Sequence, residues 1–242
     1  MNTYGLLGRD IGYSFSRNYF SNKFANENLD CSYQNFDIKT IDDLRTIIQD
    51  SDIKGMNVTI PYKEEVIPFL DSLDPTAKEI GAVNVIKFNK DGKLTGYNSD
   101  YYGFTESLKP LLNKKIKKAL ILGTGGASKA IAFALNKLNI KHNFVSRNPD
   151  FKELSYNDLD EDIIREFKLI INCTPLGTHP NVESHPNIPF EYLSEHHVLY
   201  DLIYNPEETT FMKKGKEYGA KTSNGLRMLI LQAEKSWEIW NQ

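Results

Sequence analysis

Short apolar runs alternate with longer stretches of helical period along the whole chain, and that alternation predicts an α/β protein. The first half reads as strand Thr3 to Leu7, helix Ser16 to Asn28 with a serine near its cap, strand Tyr33 to Phe36, helix Ile41 to Ile48 and strand Gly55 to Val58. Glu64 to Leu70 and Pro75 to Ile80 follow as short helices, Pro75 suiting a first helical turn. Strands Ala82 to Phe88 and Leu94 to Tyr97 are separated by Asn89-Lys90-Asp91-Gly92, whose Asp-Gly step marks an antiparallel hairpin.

A helix from about Asp100 to Leu112 leads into the lysine-rich stretch Lys114 to Lys118, beyond which a new βα series begins. Its elements are strand Ala119 to Leu122, helix Ala127 to Leu138, and strands Asn143 to Ser146, Leu169 to Asn172 and Val198 to Leu202. They outline a doubly wound, Rossmann-like parallel sheet. Residues 179–195 are polar and rich in proline, predicting a loop with a short helix around Phe190 to Leu193. The last helix, Gly225 to Trp240, presents Leu226, Leu229, Ile230, Ala233 and Trp237 on one face. The predicted division is an N-terminal α/β substrate domain over 1–102, completed by the helix at about 224–242, and a dinucleotide-binding domain over 103–223.

Composition narrows the function. The chain has 242 residues, 40% of them hydrophobic, so it can bury a core, and its net charge of −3 with mixed signs lacks the basic footprint of a nucleic-acid binder. No apolar stretch approaches the ~20 residues of a membrane span. Cys31 and Cys173 match no zinc or redox spacing, and the five histidines match no ligand pattern; the expectation is two reduced thiols, no metal and a cytoplasmic protein with a small-molecule partner.

The glycine-rich GTGGAS supplies the first chemistry. Gly123 makes the turn after a strand, Gly125 lets backbone approach a pyrophosphate, and Gly126 and Ala127 open a helix whose amides and dipole favour an anion. Ser128 stands where the general fingerprint has a third small residue, and a turn without any ligand remains the alternative. An NAD site places Asp or Glu about 20 residues on. Here that place reads Ser146-Arg147-Asn148, where a guanidinium and a hydroxyl suit the 2′-phosphate of NADP(H) better than a carboxylate would; an ordinary surface arginine is the other reading.

The second chemistry is polar side chains after short strands: Ser14 and Ser16 in GYSFSR, Asn57, Thr59 and Lys63 in NVTIPYK, Asn84 in GAVNVI and Asp100 in GYNSD. Taken singly, Lys63 fits an exposed helix start, Asp100 and the serines fit helix caps, and the asparagines fit turns. Taken in order, and joined by Asn172-Cys173-Thr174-Pro175-Leu176-Gly177, Tyr200-Asp201, Tyr204-Asn205-Pro206 and Gly225-Leu226-x-Met228-Leu229-x-x-Gln232, they resemble the shikimate dehydrogenase family along nearly the whole chain.

The resemblance implies reversible, NADP-linked reduction of 3-dehydroshikimate to shikimate in aromatic amino-acid biosynthesis. It implies Ser14, Ser16, Thr59 and Tyr204 at the substrate carboxylate, Asn57, Asn84, Asp100 and Gln232 at the ring hydroxyls, Lys63 at the reacting oxygen, and Thr174 beside the cofactor. Hydride delivery to a ketone leaves an alkoxide that must be protonated as it forms, which suits a lysine ammonium oriented by a carboxylate, with Asp100 alone as the second route. A quinate or dual quinate/shikimate dehydrogenase and a noncatalytic nucleotide-sensing relative are the rival functions, and monomer and homodimer both stay open. Relatives commonly carry a further helix beyond the position of Trp240, and the short segment between Arg147 and Leu169 predicts a trimmed helix beside the adenine end.

Overall fold

A computed structural model describes residues 1–12, 14–49 and 53–242. Two compact units divide the chain, one formed by Met1–Ser99 with Ala233–Gln242, the other by Asp100–Gln232.

In the first unit β1 (Asn2–Gly8), α1 (Phe15–Asn26), β2 (Cys31–Asp37), α2 (Leu44–Ile47), β3 (Ile53–Val58), β4 (Ser72–Leu73), α3 (Pro75–Ile80), β5 (Val85–Phe88) and β6 (Leu94–Tyr97) build a mixed six-stranded sheet of order β2-β1-β3-β5-β6-β4. β1 pairs in parallel with β2 and β3, while β5 runs antiparallel to β3 and β6. The hairpin turns at Asn89–Lys93 with Gly92 at φ 81°, a left-handed conformation that favours glycine.

Period-two alternation sends side chains to two cores. Leu7, Met56 and Ile86 join one cluster, whereas Tyr4, Leu6 and Val85 meet Phe20 and Phe24 of α1 on the other face. Trp240 completes that second cluster, its ring 4.9 Å from Tyr4 and its indole N–H donating to Ile86 O at 3.1 Å. Gly55 is obligatory beneath it, because a Cβ there would lie 2.3 Å from the indole. Truncating such a buried tryptophan costs about 3–5 kcal/mol.

The second unit contains α4 (Asp100–Leu108), β7 (Lys118–Leu122), α5 (Gly126–Lys137), β8 (Lys141–Ser146), β9 (Leu154–Ser155), α6 (Glu161–Glu166), β10 (Leu169–Asn172), β11 (Val198–Asp201), α7 (Thr210–Glu217), β12 (Lys221–Ser223) and the start of α8 (Leu226–Trp240). Its six strands are all parallel in the order β12-β11-β10-β7-β8-β9, the doubly wound order of dinucleotide-binding sheets. Both faces are buried, Ala119, Ile121, Leu169, Ile171 and Tyr200 toward one cluster and Leu120, Leu122, Ile170 and Leu199 toward the other. That is why these strands read as unbroken apolar runs.

Several expected helices are cut short for local reasons. Glu64 to Leu70 folds as turns ending in a 3₁₀ turn at Ile67–Phe69, since Pro68 has no amide to donate. The linking helix stops at Leu108 because Pro110 disfavours helical backbone before it, leaving a 3₁₀ turn at Lys109–Leu111. Ile41–Asp43 is likewise 3₁₀, with only Leu44–Ile47 α-helical, and the helix expected around Phe190 to Leu193 is a 3₁₀ turn at Phe190–Tyr192. The segment after Arg147 holds the six-residue α6, capped by Asp160 accepting from Ile163 N at 2.9 Å. Among the described residues no helix is long and apolar enough to cross a membrane.

Candidate functional site

The first unit brings its candidate residues to the carboxyl ends of β1 and β3, two parallel neighbours whose connections leave in different directions. Gly8 closes β1, and a Cβ there would meet Thr59 Cγ2 at 2.6 Å, so Thr59 sits directly over the strand end. Ser14 caps α1, its Oγ accepting from Arg17 N at 3.1 Å. Capping consumes a lone pair and leaves the O–H as a donor. Lys63 lies in the turns after β3, half-buried, with its carbonyl accepting from Val83 N at 2.7 Å.

Behind these groups runs a buried network. Tyr33 donates to Asn57 Oδ1 at 2.9 Å, and Asn57 Nδ2 donates to Ser236 Oγ at 2.8 Å and to Asn84 O at 3.3 Å. Asn84 receives the Ser99 amide at 2.6 Å and donates to Ser99 Oγ at 3.0 Å, and the Ser99 and Ser236 hydroxyls lie 3.2 Å apart. Burial pushes the Tyr33 phenol well above its usual range, while a hydrogen bond with Ser16 pulls it the other way, so the phenol stays a donor. Both Asn57 donors are committed to protein, leaving its carbonyl oxygen as the group with capacity for a hydroxyl. Tyr33, Ser99 and Ser236 escaped the sequence reading; the signal for Ser236 was its place one turn beyond Gln232 on a helix face that is otherwise apolar.

In the second unit the switch point lies between β7 and β10. Gly123 turns at φ 99°, and a Cβ on it would meet Thr174 Cγ2 at 3.0 Å, which places the glycine loop against the loop after β10. Gly125 is the N-cap of the twelve-residue α5 without any side-chain cap, and a Cβ there would meet nothing within 4 Å. Gly126 and Ala127 begin the helix, and Ser128 is buried with its hydroxyl on Gly125 O at 2.6 Å, so its role is in the turn. Open space before an uncapped helix terminus fits a pyrophosphate. One strand over, Ser146 closes β8 and accepts from Asn148 N at 3.3 Å, with Arg147 and Asn148 exposed. These residues fit a 2′-phosphorylated dinucleotide.

Thr174 is anchored from below. Asn172 Oδ1 accepts its amide at 3.0 Å and its hydroxyl at 2.7 Å, and Asn172 Nδ2 donates to Asp201 Oδ1 at 3.0 Å. Asp201 also accepts from Ile203 N and Thr209 Oγ1, yet burial pushes its carboxyl up to about 6. Tyr204, half-buried, follows on the same segment, and burial raises its phenol. Asp100 is buried at the first position of α4, and Gln232 packs one turn further on, where a Cβ on Gly103 would meet Gln232 N at 3.0 Å. The descriptions of the two units thus leave Ser14, Ser16, Asn57, Thr59, Lys63 and Asn84 in the first and Asp100, Tyr204, Gln232 and the dinucleotide residues in the second. Among the described residues no group of His, Cys, Asp and Glu is placed to hold a metal.

Comparison with known proteins bears on the family and the fold. Residues 6–86 match the shikimate dehydrogenase substrate binding domain. The NADP(+) shikimate dehydrogenase of Clostridium botulinum is 39% identical over 99% of this chain and 96% of its own length, and that of Methanococcus vannielii 38% over 98% and 90%. The crystal structure of shikimate 5-dehydrogenase from Thermus thermophilus in complex with NADP(H) and shikimate superposes with a TM-score of 0.88 at 30% identity, covering 99% of this chain and 93% of that one. With relatives at this identity spanning almost every residue, and both the mixed and the doubly wound sheet accounted for, the chain belongs to the shikimate dehydrogenase family.

Proposed function

We propose that the chain reversibly reduces 3-dehydroshikimate to shikimate with NADPH, as an NADP-dependent shikimate dehydrogenase of aromatic amino-acid biosynthesis. The observation that carries this reading is similarity to NADP(+) shikimate dehydrogenases over 99% of the chain.

The first unit serves as the substrate domain and the second as the dinucleotide domain. Ser14, Ser16 and Thr59 give hydroxyl donors to the substrate carboxylate, with Tyr204 adding a phenol. Asn57 accepts from a ring hydroxyl through its remaining oxygen capacity, and Asn84, Asp100 and Gln232 bind the other hydroxyls. Lys63 gives its proton to the oxygen that becomes an alcohol, and in the reverse direction takes it back. Asp100 is the second candidate for carrying that proton.

NADPH, when bound, supplies the hydride. Gly123, Gly125, Gly126 and Ala127 receive its pyrophosphate on backbone amides, Ser146, Arg147 and Asn148 take the 2′-phosphate, and Thr174 lies on the opposite wall of the glycine loop. The free thiols Cys31 and Cys173 favour a reducing, cytoplasmic setting.

Absorbance of the reduced nicotinamide, followed with shikimate or quinate and with NADP+ or NAD+ in turn, tests the reading. Fast reduction with shikimate and NADP+ alone is expected. Preference for quinate or NAD+ would overturn the specificity, and silence in all four would overturn the activity.

A further inference from the structure

Asn172 and Asp201 end adjacent parallel strands and face each other in register. Both are fully buried; Asn172 bonds Thr174 directly, whereas Asp201 reaches Thr174 only through Asn172. Asn172 uses its whole carboxamide: Oδ1 takes the Thr174 amide and hydroxyl, and Nδ2 reaches Asp201 Oδ1 and Leu176 O. Thr174 Oγ1 in turn accepts from Leu176 N at 3.2 Å. Asp201 spends Oδ1 on Asn172 and on Ile203 N at 3.0 Å, and Oδ2 on Thr209 Oγ1 at 2.7 Å. Thr209 then caps α7 by accepting from Met212 N.

Every donor around this carboxylate is a neutral amide or hydroxyl: Asn172 ends β10 just before one loop, and Ile203 and Thr209 lie on the other. One loop carries Thr174, the other Tyr204. A buried carboxylate held this way is costly to keep unless all its donors stay in place. Loosening one loop therefore removes support from the other.

We propose that Asp201 and Asn172 are positioning residues that couple the Thr174 loop to the Tyr204 segment, fixing the cofactor-side and substrate-side loops as one unit. The reach of this inference to catalysis rests on the proposed roles of Thr174 and Tyr204. The coupling itself does not.

Residue-resolved amide exchange on the full chain tests the coupling. Asn172→Leu removes the support of Thr174 directly; coupling requires that Ile203 and Met212, on the other loop, also exchange about fivefold faster, the loss of roughly one hydrogen bond. Thr209→Val, which keeps the side-chain volume, tests the opposite direction through the amides of Thr174 and Leu176. It also stands alone if the Asn172 variant does not fold. Faster exchange confined to the loop that carries the substitution would overturn the proposal. In Asn172→Leu and in a third variant, Asp201→Asn, NADPH affinity, read by its fluorescence, should weaken severalfold, while the affinity for shikimate moves less in Asn172→Leu than in Asp201→Asn. Coupled exchange with unchanged NADPH affinity would leave the coupling standing and overturn the cofactor role of Thr174.

Discussion

Asn57 and Ser236, 179 residues apart in sequence, are joined by a 2.8 Å hydrogen bond that ties the end of β3 to the last two turns of α8. The bond is buried, and the hydroxyl it reaches lies 3.2 Å from Ser99 Oγ. The strand that presents Thr59 and Lys63 therefore takes part of its geometry from the far end of the chain.

Ser236→Ala leaves a buried Asn57 donor without its partner, which costs about 1–3 kcal/mol. The expected outcome is a matching loss in urea unfolding together with a severalfold rise in KM for shikimate, with NADPH affinity unchanged. Wild-type stability and KM in the variant would refute the link.

Lys63→Ala removes proton transfer while leaving recognition to the hydroxyls and amides around it, so kcat should fall roughly 10²–10⁴-fold with a modest change in shikimate affinity. Asp100→Asn should be the milder lesion in turnover. The reverse ranking would make Asp100 the proton carrier.

How much of this was readable in advance depends on how local the cause is. β7, β10 and β11 were legible because burial on both faces demands unbroken apolar runs, and the β5–β6 hairpin because Asp91-Gly92 fits its turn. α7 was not, since its apolar face is only Phe211 and Met212 with Gly215 in a lysine-rich stretch, and its cap Thr209 is recognised by what Asp201 does. β4, β9 and β12 are two or three residues long and exist through their pairing partners alone. The candidate site residues stood out as polar side chains after short strands. Tyr33, Ser99 and Ser236, which support them, are ordinary residue types whose meaning comes from distances across the fold.

Arg147→Ala should separate the two cofactors. Charge-assisted bonds to a phosphate are worth about 1.5–3 kcal/mol, so KM for NADPH should rise about tenfold to a hundredfold, while KM for NADH, which has no 2′-phosphate, should stay within about twofold. An unchanged NADPH-to-NADH ratio would remove Arg147 from the cofactor site.

The buried carboxyl of Asp201 gives stability a pH dependence opposite to that of a salt-bridged aspartate. Desolvation raises it to about 6, so the folded chain holds its proton more tightly than the unfolded chain does. Its neighbours cannot reverse this: Asn172, Ile203 and Thr209 contribute neutral donors, and the Cys173 thiol is itself pushed up by burial and by Asp201. The contribution to stability is therefore full below about pH 4 and is lost as pH rises through about 6, a change of roughly 3 kcal/mol. Asp201→Asn cannot titrate. Its unfolding free energy, measured by denaturant between about pH 4 and 7, should lack that decline, so that the difference from wild type shifts steadily in favour of the variant as pH rises. Parallel curves for the two proteins would mean that the carboxyl is ionised in the folded state throughout, and that its three hydrogen bonds outweigh burial.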